Sequence, residues 1–300
     1  MLVTGPKSVK WNVREPVEES REAAGLKRRI YMEDQKKVFG FIGTGNMSGA
    51  LARAVRRTQD GGQILLANRS PEKACALAEE LGAWTVDNCT LAQRAYYIFL
   101  GVKPQMMEAV LSEIAPVLAE RRDRFLLVSM AAGLTLERIQ EMAGGSYPLI
   151  RIMPNTPVSV GEGMVLYTCS PDAEEDIRDF LDGCKAAGRF SRLPEQMMDA
   201  ASAVAGCGPA FADLFLEALA DGGVACGLPR DRAQEYAAQM LAGAARLVLE
   251  SGEHPGRLKD AVCSPGGTTI QGVRKLEEGG FRGNVMNAVI AAYEKTLELK

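Results

Sequence analysis

At 300 residues the chain exceeds one ordinary core, and 47% hydrophobic residues beside 24% charged ones describe a globular protein, not a disordered or fibrous one. A net charge of -3 and an isoelectric point near 5.5 give no basic field for a phosphate backbone, which argues against nucleic acid as a partner. Seven scattered cysteines without Cys-x-x-Cys spacing, and a single histidine, His254, argue against a disulfide framework and against the usual zinc-ligand sets.

The cysteines are expected to be small buried thiols in a reducing compartment. Residues 1–35 mix Lys, Arg and Glu without an apolar period or a signal-peptide core, and read as a flexible extension. Their glutamates argue against a mitochondrial presequence, and Met32, six residues before the first strand, is an alternative start. No unbroken apolar run approaches the ~20 residues of a membrane span. A soluble, cytoplasmic protein without a membrane partner is expected.

From Val38 to about Arg192 short apolar runs alternate with helical stretches, the pattern of a parallel sheet covered on both faces. Strands are expected over 38–42, 63–67, 96–100, 125–129, 149–153 and 164–167, with a weak one near Trp84. Helices are expected over 47–57, 71–81, 105–118, 135–142 and 173–186, with Pro71 and Pro104 at helix starts. After Pro194 the chain turns alanine-rich and helical, broken at Gly206-Cys207-Gly208-Pro209, Gly227-Leu228-Pro229 and Ser251-Gly252. Asp231 is expected to cap the segment running to Glu250, and Gly279-Gly280 to end another that begins near Gly267. Such segments suit an oligomerisation bundle or a substrate domain.

The first strand runs into Gly43-Thr44-Gly45, after which Asn46 and Met47 open a helix. Gly43 permits a tight turn, and Gly45 lets backbone approach a pyrophosphate seated on the helix N-terminus. Ser48, at the third position of this pattern, departs from Gly or Ala but is small enough for helix-to-strand packing. The fold class is therefore α/β, with a Rossmann-type, mostly parallel sheet over residues 36–193 and an all-α region over 194–300. At the end of the second strand stand Asn68, Arg69 and Ser70, with no carboxylate for a ribose 2′-hydroxyl. Arg69 between two neutral donors suits a 2′-phosphate, hence NADPH with NADH as the alternative. Val102, Lys103 and Pro104 follow the next strand, Ala131 the one after, and Asn155 sits in a stiff Pro154–Pro157 loop. All are candidates for the cofactor cleft, because ligands bind beyond the carboxyl ends of such strands.

In the helical half, Ser264-Pro265-Gly266-Gly267-Thr268-Thr269 is a Gly-rich turn opening a helix, with backbone N–H groups and hydroxyls suited to a carboxylate. Glu217 and Asp221 lie one helical turn apart, where a partner chain or an arginine explains them better than acid–base chemistry. No metal site is expected.

Taken together, Gly43 to Met47, Val102 to Gln105, Arg151 with Met153 to Pro157, Gly208 to Phe211, Glu217 to Gly223 and Ser264 to Thr269 resemble the pyrroline-5-carboxylate reductase family in order and spacing. The resemblance runs from about residue 37 to the C-terminus. It implies hydride transfer from NAD(P)H to the C=N bond of 1-pyrroline-5-carboxylate, giving L-proline in the last step of its biosynthesis. It also implies Thr269 as the catalytic donor near the imine nitrogen, with Gly266, Gly267 and Thr268 at the substrate carboxylate. The helical region then becomes a dimerisation and substrate domain, forming a homodimer that assembles further into a ring such as a decamer. Two alternatives stay open at this point: a reductase of C=O substrates using Lys259 or Lys275, and an NADPH-binding sensor without turnover.

Overall fold

The computed structural model describes residues 37–298, and the expectations placed on residues 1–35 lie outside them. Strand β1 (Phe39–Ile42) leads through the Gly-rich turn into α1 (Asn46–Arg56). β2 (Ile64–Ala67) is followed by α2 (Pro71–Leu81), whose first position is Pro71, where a missing N–H has no consequence. The short β3 (Trp84–Thr85) precedes α3 (Asn88–Arg94), capped by Asp87, which accepts from the Thr90 N–H at 2.8 Å. Then come β4 (Tyr97–Leu100), α4 (Met107–Glu120), β5 (Leu126–Ser129), α5 (Leu136–Ala143) and β6 (Leu149–Met153). β7 (Gly163–Cys169), α6 (Ile177–Cys184) and β8 (Gly188–Arg192) complete this half.

The strands form one sheet in the order β3-β2-β1-β4-β5-β6-β7-β8. All neighbours are parallel except β6 and β7, which run antiparallel. The central strands are apolar on both faces. Phe39, Phe41, Tyr97 and Phe99 pack with α1, α2 and α6, whereas Ile42, Ile98 and Leu100 pack with α3, α4 and α5. Burying both faces explains why these strands read as continuous apolar runs instead of alternating ones. Two elements were not expected. In β8 only Phe190 is apolar among Gly, Arg and Ser, as suits the edge of a sheet, and α3 is too short to show a helical period.

The remaining helices are α7 (Met198–Ala205), α8 (Gly208–Ala225), α9 (Arg230–Ser251), α10 (Pro255–Ala261), α11 (Thr268–Glu278) and α12 (Phe281–Leu297). Gly279 ends α11 as expected. Asp231 does not cap α9; the helix begins at Arg230 after Pro229, which places Asp231 in its first turn, where its charge still suits the helix dipole. His254 caps α10, its Nδ1 accepting from the Gly256 N–H at 3.0 Å. The segment Glu195–Ala225 is, by length and composition, apolar enough to cross a membrane. It is not one unbroken apolar run, since Asp199, Asp213, Glu217 and Asp221 punctuate it. The cysteines also differ from expectation: Cys184 is buried, but Cys75 on α2 and Cys226 in the turn after residue 225 are exposed, and all seven are free thiols.

Arg151, in β6, joins the sheet to the helices. Its guanidinium is buried between Glu195, 3.1 Å away, and Asp199, 3.3 Å away, and Glu195 also accepts from the Leu136 N–H at 2.8 Å. A buried cation requires such partners, so the start of α7 is held to the sheet.

Candidate active site

Strand order reverses beside β1, whose neighbours are β2 and β4, and a crevice opens beyond their carboxyl ends. It contains a cavity of about 830 Å³ whose walls include Gly43, Gly45, Asn68, Arg69, Val102 and Lys103. Gly43 has φ +91°, and a β-carbon there would stand 2.7 Å from the Gly101 carbonyl oxygen, so only glycine fits the turn. Gly45 caps α1 without a side-chain hydrogen bond, the first turn carries no acid, and a β-carbon at Gly45 would meet nothing within 4 Å. Open space thus adjoins a helix start whose first N–H groups, those of Asn46 and Met47 among them, have no intrahelical acceptor. The Thr44 hydroxyl, buried and without a partner, adds a donor beside them. These features fit a dinucleotide pyrophosphate.

Ser48 is buried, and the close approach expected of it is granted from the other side. A β-carbon on Gly101 would stand 2.5 Å from the Ser48 Oγ, so the loop glycine makes room for the helix serine.

Asn68 serves differently from expectation. Its Oδ1 accepts from the Thr44 N–H at 3.2 Å and its Nδ2 donates to the Ser70 carbonyl at 3.0 Å. The amide therefore ties the Gly-rich turn to the β2–α2 loop, with one of its two N–H donors engaged there. Arg69 is exposed on the cavity wall, and Ser70 caps α2 by position only, its hydroxyl making no cap bond. Lys73, which the sequence reading passed over, joins them in the first turn of α2. No local pattern marks it out; the turn of the chain brings it there.

Asn46, Met47, Pro104, Ala131 and Asn155 do not line the cavity. Asn46 and Met47 still form the helix start, and Pro104 opens the 3-10 turn that leads to α4. The other two anchor the loops after their strands. The Ala131 N–H donates to the Ser129 hydroxyl at 3.3 Å. The Asn155 Oδ1 accepts from the Met164 N–H and its Nδ2 donates to the Ala205 carbonyl, both at 2.9 Å. Both groups are spent on holding the loops after β5 and β6. The far wall carries Asp87, Asn88 and Glu113, none of them singled out from sequence.

The second predicted site lies at the start of α11. Gly266 adopts φ +69°, and the Gly267 N–H donates to the Ser264 carbonyl at 3.0 Å. A β-carbon at Gly267 would meet the Ser264 Oγ at 2.3 Å. Gly267 thus supplies shape, not a free donor, which corrects its expected part in binding a carboxylate. No side chain caps α11, so the N–H groups of Thr268 and Thr269 begin the helix without intrahelical acceptors. Both threonines are exposed, and the turn forms no part of the cavity wall. Lys259 and Lys275 are paired with Asp260 and Glu278 at 2.6 and 2.8 Å, and Asp221 pairs with Arg230.

Two family profiles match the chain. One, described as NADP oxidoreductase coenzyme F420-dependent, covers residues 38–133, and the other, pyrroline-5-carboxylate reductase dimerisation, covers residues 195–299. Over 270 residues the chain is 43% identical to the pyrroline-5-carboxylate reductase of Escherichia coli, spanning 88% of this chain and 98% of that protein. The chain belongs to the pyrroline-5-carboxylate reductase family. The family member from Pisum sativum is 41% identical over 264 residues, with 87% of this chain and 95% of that protein covered. Among solved structures, the family enzyme of Coxiella burnetii superposes with a TM-score of 0.79 at 31% identity, covering 88% of this chain and 98% of that one. The Plasmodium falciparum enzyme, solved with NADP bound, gives 0.78 at 32% identity over the same shares. The resemblance read from the motifs holds, and the turn at 264–269 falls inside the matched dimerisation region.

Proposed function

We propose that the protein reduces the C=N bond of 1-pyrroline-5-carboxylate to give L-proline, with NAD(P)H as hydride donor and NADPH preferred. The observation that carries this reading is the joint presence, in a member of this family, of a phosphate-cradling cavity at the switch point and an uncapped Gly-rich helix start in the helical half. When bound, the dinucleotide supplies the hydride, so the chain needs neither a nucleophile nor a metal. Its own residues bind, orient and hold a proton. Backbone N–H groups at Asn46 and Met47 and the Thr44 hydroxyl hold the pyrophosphate, Arg69, Ser70 and Lys73 the 2′-phosphate, and Lys103 the nicotinamide end. Thr268 and Thr269 offer N–H groups at the positive end of α11 to the substrate carboxylate, Gly266 and Gly267 shaping the turn around it. The Thr269 hydroxyl hydrogen-bonds at the imine nitrogen and keeps its proton in place while the reactants are held close.

Residues 36–193 act as the dinucleotide-binding domain and 194–300 as the dimerisation and substrate domain. Because Thr269 is exposed and away from the cavity walls of its own chain, the turn completes the cleft of a partner chain in a homodimer. Dimers assembling into a ring such as a decamer, in the cytoplasm, is the finer form of this proposal. Glu195–Ala225 is then an interface segment, not a membrane span.

The test is loss of reduced-cofactor absorbance with 1-pyrroline-5-carboxylate, run beside the six-membered 1-piperideine-6-carboxylate and ketopantoate. Turnover is expected on the first, and its absence overturns the assignment. Thr269→Ala is expected to lower kcat by about 10- to 100-fold, the worth of one hydrogen bond to a charged group, while NADPH affinity changes by less than about twofold. Equal losses in both would remove Thr269 from the imine.

A further inference from the structure

The helical half leaves the sheet half through α7. That helix ends at Ala205 and α8 begins at Gly208, yet Gly206 and Cys207 between them keep right-handed helical angles, φ -80° with ψ -44° and φ -87° with ψ -26°. The backbone winds on, but its hydrogen-bond ladder is interrupted. The Gly206 and Cys207 N–H groups both donate to the Ser202 carbonyl, at 2.7 and 3.1 Å, so the second bond spans a widened turn. Pro209 stands four residues after Ala205, where a helix would place the N–H that meets the Ala205 carbonyl, and proline has none. The missing donor comes from the sheet half, where Asn155 Nδ2 donates to the Ala205 carbonyl at 2.9 Å. Asn155 is itself buried and held, its Oδ1 accepting from the Met164 N–H at 2.9 Å. With Arg151 gripping Glu195 and Asp199, α7 is tied to the sheet at both ends.

We propose that Asn155 is a positioning residue for imine reduction. By giving the Ala205 carbonyl the donor that Pro209 withholds, it fixes the course on which α8 leaves the sheet, and with it the place of the Thr269 turn against a cleft. The inference rests on the reading of the chain as a reductase of 1-pyrroline-5-carboxylate. A helix interrupted at proline bends there, and a partner fixed on another element selects one bend. The course of this helix reaches the substrate turn, because α12 packs on α7 and α11 packs on α12. Asn155 stands off the cavity wall, so it acts on where the reactants meet and not on cofactor affinity.

Asn155→Asp keeps the acceptor for the Met164 N–H and removes the donor to Ala205. It is expected to lower kcat/KM for 1-pyrroline-5-carboxylate roughly 10- to 100-fold, as misplacement from afar does, while NADPH affinity stays within about twofold. Adding Pro209→Ala restores an N–H for the Ala205 carbonyl from within the helix. The double variant should regain its midpoint in urea but not its turnover, because the tether to the sheet is still missing. If turnover returns together with stability, the amide only satisfies a carbonyl and positions nothing. Loss of NADPH affinity in step with turnover would likewise confine Asn155 to the β6–β7 loop. Asn155→Ala, with and without Pro209→Ala, carries the same test should the Asp chain not fold. A wild type without turnover on 1-pyrroline-5-carboxylate overturns the proposed function and this inference with it, whereas an active wild type matched by Asn155→Asp overturns the inference alone.

Discussion

Lys73 stands where a helix ordinarily prefers an acid. It lies in the first turn of α2, at the positive end of the helix dipole, on the same cavity wall as Arg69. Only Glu72 in that turn offsets the two cations, and neither Arg69 nor Lys73 has an ion-pair partner among the described residues. Such an arrangement is mildly unfavourable until an anion enters it. Arg69→Ala and Lys73→Ala are each expected to weaken NADPH about tenfold while NADH stays within about twofold, as loss of a charge-assisted contact to the 2′-phosphate requires. Without nucleotide, the same variants are expected to melt no lower than wild type. Equal losses for NADPH and NADH would remove phosphate recognition from both residues. Arg69 was legible in sequence because it directly follows a strand end, which fixes its place in the fold. Lys73 was not, since a lysine within a helix looks the same whether it faces bulk water or a cleft. Asn68 was legible by position but not by role, because which loop its amide would reach depends on how closely Gly43-Thr44-Gly45 approaches β2.

The β1–α1 unit depends on a contact between elements far apart in sequence. α1 lies close to the loop after β4 because Gly101 has no side chain opposite Ser48. Gly101→Ala would set a β-carbon 2.5 Å from the Ser48 Oγ and 2.9 Å from the Gly43 carbonyl oxygen. The helix must shift, and a destabilisation of roughly 1–3 kcal/mol, with weaker NADPH binding, is expected. Adding Ser48→Gly should recover part of the stability, measured by urea unfolding, because it removes the nearer clash and leaves the Gly43 carbonyl. No recovery would place the strain elsewhere. At this scale most of the sheet could be read from apolar runs, since a strand covered by helices on both faces leaves little ambiguity in residues such as Ile64–Ala67 or Leu126–Ser129. The failures have the same cause. β8 meets helices less fully and carries arginines, and α3 owes its existence to the Asp87 cap and to packing of Leu91 and Ala92 more than to a periodic pattern.

Taken as a single chain, the helical half has too little interior of its own. Among the described residues, α8 buries only Ala220, α9 only Ala233 and Ala237, and α10 to α12 none. Leu214, Leu249 and Met286 are more than half exposed, at 66%, 68% and 63%. Leaving side chains of this size in water forgoes about 1.5–3 kcal/mol each, so these helices gain their stability from a second copy. This explains why periodicity could not separate an interface from a substrate domain: an interface helix is apolar on faces that its own chain never covers. The matched dimerisation region agrees with that arrangement. Leu214→Glu combined with Met286→Glu is expected to shift the protein to monomer in sedimentation velocity, since each carboxylate would be buried unpaired in the contact. The sheet half, whose core is separate, should still bind NADPH in that monomer. Turnover should fall with the dimer fraction and rise again with protein concentration if, as proposed, the Thr269 turn of one chain completes the cleft of the other. A monomer that kept both NADPH binding and full turnover would show that each chain carries a whole active site, and would sink the shared one.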